Sequence, residues 1–91
     1  MNKMENLNGY VGKAFHCPTK KLANEFLNLA HGQGWTWVDN GPLNEYNKWW
    51  VCKERTCYLL FFGKTVMYAP IDYYKQIGFK IIEFKGERKW K

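Results

Sequence analysis

Between Leu22 and Ala30 the apolar residues Leu22, Ala23, Phe26, Leu27, Leu29 and Ala30 recur at steps of one, three and four, with Lys20, Lys21, Asn24, Glu25 and Asn28 between them. That period places one apolar stripe on one polar-backed helix. Thr19 is the natural N-cap, with Pro18 and Cys17 as near alternatives. Gly32 and Gly34 end the helix, and His31 falls in its last turn. Elsewhere the pattern has the period of strands. Tyr10–His16 reads as a first strand closed by Cys17-Pro18-Thr19, and Trp35–Asp39 as a second with both indoles on one face. Trp49–Cys52 and Cys57–Phe62 read as a hairpin across Lys53–Thr56. Gly63-Lys64 then turns the chain into Thr65–Tyr68. Pro70–Gly78 reads as irregular or as a short helical turn, and Phe79–Phe84 as the last strand.

The expected class is α+β: one amphipathic helix packed on a meandering antiparallel sheet of five to six strands, spanning residues 10–84. Residues 1–9 read as a flexible lead-in and 85–91 as a basic tail carrying Trp90. Trp49-Trp50 and Tyr58–Phe62 are apolar at both parities, so neither face of the central strands reads as a water face. One helix covers one face, and self-association as a homodimer or higher oligomer is the expected cover for the other.

A chain of 91 residues builds a single core. The longest apolar run, Tyr58–Phe62, is too short to cross a bilayer, and Met1–Tyr10 has no signal-like apolar stretch, so a cytoplasmic protein without a membrane partner is expected. Three cysteines, an odd number, agree with a reducing compartment.

The chemistry-bearing residues argue against most enzyme classes. The chain has no serine, and its histidines are His16, at a strand end, and His31, at a helix end. A nucleophile held by a base and a third orienting group is therefore not in view. Glu45, Asp72 and Glu83 are scattered rather than paired. Gly63-Lys64-Thr65 resembles the end of a phosphate-binding loop, but Tyr58 stands where its leading glycine belongs, and the segment joins two strands. Cys52 and Cys57 would face each other in the expected hairpin. Small packed residues, a cross-strand disulfide and a zinc site completed by His16 and Cys17 are then all open readings, although Lys-Glu-Arg-Thr is a poor zinc knuckle. No cofactor and no metal is expected.

Charge changes the picture. Fourteen Lys and Arg against eight Asp and Glu give a net charge of +6, which draws a protein towards phosphates or acidic protein surfaces. Lysine dominates; the only arginines are Arg55 and Arg88. Five tryptophans, six tyrosines and six phenylalanines exceed what a small core needs, so some rings are expected on a contact surface. The candidates are Trp35, Trp37, Trp49, Trp50 and Tyr58, with Lys48, Lys53, Arg55 and Lys64 supplying charge. Rings with lysines serve a protein interface, and they also serve a nucleotide or a single-stranded nucleic acid.

A strand ending in Cys17-Pro18-Thr19, a helix of the form Leu-Ala-x-x-Phe-Leu-x-x-Ala, then Gly34-Trp35-Thr36-Trp37 and a closing Gly78–Phe84 together resemble small accessory proteins of phages and mobile elements. The resemblance runs from about Phe15 to Phe84. It implies a non-catalytic protein that inhibits a host or defence factor through a protein interface, or one that sequesters a nucleotide signal.

Overall fold

The computed structural model describes residues 6–45 and 47–86. Most of the lead-in, Tyr46, and the tail from 87 onward with Trp90 lie outside the described residues. Ten short segments form the fold. After a 3-10 turn at Leu7–Tyr10 come β1 (Lys13–His16), α1 (Lys20–Gly32) and β2 (Thr36–Trp37). Then follow α2 (Trp49–Cys52), a second 3-10 turn at Lys53–Arg55, β3 (Thr56–Phe61), β4 (Thr65–Pro70), α3 (Ile71–Gln76) and β5 (Lys80–Glu83).

α1 forms as its periodicity predicts. The Thr19 hydroxyl accepts the Leu22 N–H at 3.1 Å, satisfying one of the orphan donors of the first turn. Ala23, Phe26, Leu27, Leu29 and Ala30 are buried against the sheet. At the other end Gly34 (φ 91) lets the chain reverse, and Lys64 donates from Nζ to the Gln33 carbonyl at 2.8 Å. An ammonium there also meets the negative end of the helix dipole.

The class is α+β, but the sheet is mixed rather than an antiparallel meander. Its strand order is β2-β4-β3-β1-β5. β3 runs antiparallel to both neighbours, whereas β1 pairs parallel with β5 and β2 parallel with β4. Only the β3–β4 connection is a tight turn, with positive φ at Gly63 and Lys64. Two of the other three links are helical crossovers, α1 carrying the chain from β1 to β2 and α3 from β4 to β5, while a loop and α2 lead from β2 to β3. A crossover returns the chain to run parallel with the strand it left. The two proceed in opposite directions across the sheet, so a common hand places their helices on opposite faces.

Strand parity agrees. Phe15, Tyr58, Leu60 and Val66 cluster with Phe26 and Leu27 of α1, while Ala14, Cys57 and Leu59 cluster with Tyr74 of α3. This is why Thr56–Leu60 is buried at every position. α3 packs on the face opposite α1. Ala14, Cys57 and Ala69 are small enough to leave room for the Tyr74 ring, which packs edge-on to Phe79 at 5.9 Å.

The expected hairpin of Trp49–Cys52 with Cys57–Phe62 does not form. β3 already has β1 on one side and β4 on the other, so no edge remains for it. Residues 49–52 coil into α2, bracketed by left-handed backbone at Lys48 (φ 62) and Lys53 (φ 54).

If α3 is the cover of that face, Tyr74→Ala should cost about 3–5 kcal/mol, as for other large buried rings. Its exposed neighbour Tyr73→Ala should stay within about 0.5 kcal/mol. Urea denaturation with an unchanged m-value reads both, and equal losses would refute the assignment.

Candidate functional site

The connection from β2 to α2 borders a concave surface. It leaves the sheet in a turn in which Asn40 N–H donates to the Trp37 carbonyl at 2.8 Å, with Asn40 at φ 72. Asp39 Oδ1 accepts the Gly41 N–H at 3.0 Å, and Leu43, fully buried, pins the loop to the core. The Tyr58 hydroxyl donates to the Asn47 carbonyl. The Asn47 side chain then works in two directions: its Nδ2 donates to Asn24 Oδ1 on α1 at 2.7 Å, and its Oδ1 accepts the Trp49 N–H at 2.9 Å. That amide fixes the entry of α2 relative to α1.

Between them lies a pocket of about 390 Å³ lined by Lys20, Asn24, Asn44, Glu45, Asn47, Trp49 and Trp50. Trp49 is half-buried and packs on the core, whereas Trp50 is 69% exposed and Val51 beside it 47%. The pocket thus offers amide donors and acceptors, one cation, one carboxylate and an indole face.

The residues singled out from the sequence do not gather into one surface. Trp35, Trp37 and Tyr58 are buried in the core and present no stacking face. The strand period that puts both indoles on one side is the reason, because that side faces α1. Trp49 and Trp50 do meet, on α2. Lys48 lies over the rings of Trp37 and Tyr68, at 5.9 and 5.8 Å from their centroids, a cation–π arrangement. Arg55 is engaged with Asp72 at 3.1 Å, both exposed, and Lys64 holds the end of α1 at the far end of β4. Lys53 stands directly after α2 in a conformation, φ 54 and ψ −129, that L-residues rarely adopt.

Sequence reasoning missed Asn24, Asn44 and Asn47, and set Glu45 aside as a solitary charge. The available signal was weak: Asn24 sits one turn after Lys20 on the polar face of α1, and only the fold brings a distant polar loop against it.

The cysteines and His16 are placed as parts of the framework. All three thiols are free, and Cys52 lies on α2 rather than on a strand paired with Cys57 of β3, as the hairpin reading required. Burial, with the neighbouring Cys57 and Glu83 adding to it, pushes the Cys17 thiol well up. Burial, then Glu83, pushes Cys57 up to about 12. Burial also raises Cys52, opposed by Arg55. His16 turns away from Cys17, as neighbours on a strand must. Its Nδ1 lies 2.7 and 2.9 Å from the Glu83 carboxylate oxygens and its Nε2 is 2.8 Å from the Glu54 carbonyl, tying β1 to β5 and to the turn before β3. Among the described residues no three His, Cys, Asp or Glu side chains group so as to hold a metal ion, and no helix is long and apolar enough to cross a membrane. Set against protein-family models, curated proteins and solved structures, the chain has no match.

Two outcomes follow from these placements. A thiol reagent at mildly alkaline pH should modify Cys52 first, with Cys17 and Cys57 reacting only as the protein unfolds; three equally fast thiols would refute the packing. The unfolded chain releases its thiol protons from near pH 9.0, while folded Cys57 keeps its own until about 12. Stability should therefore fall as pH rises through that window, by up to about 1.4 kcal/mol per pH unit for each such group. Separately, Lys53→Gly should raise stability by about 1 kcal/mol by relieving the strained backbone. A lower melting temperature would show instead that the Lys53 side chain holds the bend.

Proposed function

We infer that this is a non-catalytic binding protein that acts inside the cell by occupying the surface of a protein partner, in the manner of a phage-type accessory protein that inhibits a host or defence factor. One observation carries the reading: Trp50 and Val51 stand exposed on a short helix held in place by Asn47, beside a polar pocket. A rigid aromatic anchor with an apolar neighbour and a rim of amides has the composition of an interface hot spot. The surplus of lysines favours an acidic partner and speeds encounter with it.

A second reading, a nucleotide-sequestering protein or a binder of single-stranded nucleic acid, draws on the same pocket. Its volume of about 390 Å³ falls in the range of small-ligand sites, and Trp50 with Lys20 supplies one ring and one cation. Against it, three of the five rings that such a platform would use are in the core, and Arg55 and Lys64 are already engaged.

The test compares the intact protein with Trp50→Ala as bait in bacterial lysate, alongside tryptophan emission titrations with a nucleotide panel and an oligonucleotide. The protein-partner reading expects a captured protein lost at least about 30-fold in affinity on Trp50→Ala, since hot-spot truncations cost about 2 kcal/mol or more. Melting temperature should not change. Quenching by nucleotide or oligonucleotide that weakens with salt would move the assignment to the second reading.

A further inference from the structure

β2 pairs with β4 over only two residues, Thr36 with Thr65 and Trp37 with Val66, before the chain turns out of the sheet. β4 continues through Met67–Pro70, paired with β3 on its inner side and, among the described residues, with no strand on its outer side. Four of its six residues therefore have no strand beside their outer edge among the described residues.

The direction of the peptide groups along that edge can be read from the hydrogen bonds. The Lys64 carbonyl accepts the Thr36 N–H at 3.0 Å, so residue 64 points outward, towards β2. Successive residues of a strand alternate, which turns 66 and 68 outward as well and 65, 67 and 69 towards β3. β3 agrees from its own side. Its Thr56 and Leu60 carbonyls accept from Cys17 and Gly12, next to β1, leaving 57, 59 and 61 to meet 69, 67 and 65. Tyr68 thus presents both its N–H and its C=O to the open edge, and neither meets a backbone partner among the described residues. Pro70, with no N–H, ends the edge.

A groove of about 230 Å³ lies beside it, lined by Trp37, Val38, Asp39, Lys48, Met67 and Tyr68. Trp37 is only 5% exposed, yet its indole N–H is buried with no acceptor among the described residues. Lys48 sets a positive charge at the rim over the Trp37 and Tyr68 rings, while the Asp39 carboxylate is already turned to the Gly41 N–H. Val38, 58% exposed, forms the apolar lip. Among the described residues the outer edge of β5 also has no strand beside it, but it carries exposed Lys80 and Glu83, the charges that discourage strand addition.

We propose that this groove receives an extended acidic segment of a partner protein, which adds to the sheet as a strand where β2 leaves off. The segment takes the Tyr68 N–H and C=O as main-chain hydrogen bonds, places an apolar side chain against Val38 and Met67, and sets a carboxylate beside Lys48. Main-chain bonding supplies affinity in such complexes and the alternate side-chain pockets supply selectivity. The net charge of +6 points the same way as Lys48. This inference rests on the protein-partner reading for the class of its occupant, but its surface is separate from Trp50.

The experiment titrates the full-length protein, labelled with nitrogen-15, with a capped peptide of alternating valine and glutamate and with the same peptide N-methylated at alternate residues. Expected are shifts concentrated at the Tyr68 amide and the Trp37 indole N–H, slowed exchange of the Tyr68 amide, and loss of all three with the N-methylated peptide. Val38→Lys should weaken binding while leaving the remaining spectrum in place, and Trp50→Ala should leave it unchanged. Absence of these shifts up to millimolar peptide, or equal binding of the N-methylated peptide, overturns the proposal. So does equal binding of a valine–lysine peptide, or a dimer whose Tyr68 amide is protected without peptide, since the occupant would then be a second copy. Failure of the Trp50→Ala lysate test would refute the other site without touching this one.

Discussion

Tyr58 is the side chain on which the rest of the structure depends. It lies in the central strand, stacks face to face with Phe26 of α1 at 5.7 Å and 10°, and meets Trp37 of β2 at 6.0 Å. Its hydroxyl reaches the Asn47 carbonyl and so holds the polar loop that leads into α2. Burial raises its ionisation well beyond the usual phenol range, so the group stays a neutral donor. One residue therefore joins sheet, helix and loop. The position of Trp50 relative to Asn24 is a consequence of a hydrogen bond made inside the core.

The second constraint is the small side chains beneath α3. Ala14, Cys57 and Ala69 line the floor on which Tyr74 sits, and a six-residue helix is enough to cover what a larger floor would leave open. α1 packs on one face of the sheet and α3 on the other. Two elements stand apart from this two-faced arrangement: α2, which exposes Trp50 and Val51, and β4, which outruns its neighbour β2. Both follow from the same connection, because the chain that leaves β2 after two residues is the chain that builds the pocket and α2.

The basic residues are distributed rather than gathered. Lys64 completes the end of α1, Arg55 pairs with Asp72, and Lys48 lies on aromatic rings. Surface ion pairs such as Arg55 with Asp72 contribute at most about 1 kcal/mol, so their role here is to set the local field more than to hold the fold. A positive field spread over several elements favours approach to acidic surfaces without defining a track for a phosphate backbone.

The sequence by itself determined α1 with its Thr19 cap, the Gly63-Lys64 turn and the α+β class. Each rests on interactions between residues a few positions apart, whose period or turn chemistry is written locally. It also identified Trp49 and Trp50 as contact candidates, though as strand residues. Only the tertiary structure decided that β1 lies parallel to β5 and β2 to β4, that α3 packs on the second face, and that Trp49–Cys52 must coil because β3 has no free edge. Tertiary structure also separated the rings: Trp35, Trp37 and Tyr58 went under α1, and Trp50 was left outside. Burial belongs to the element packed above a residue, and which element that is depends on strand order and crossover direction, set by contacts far apart along the chain. The asparagines of the pocket were illegible for the same reason, since Asn24 and Asn47 become one site only when a helix and a loop are folded against each other.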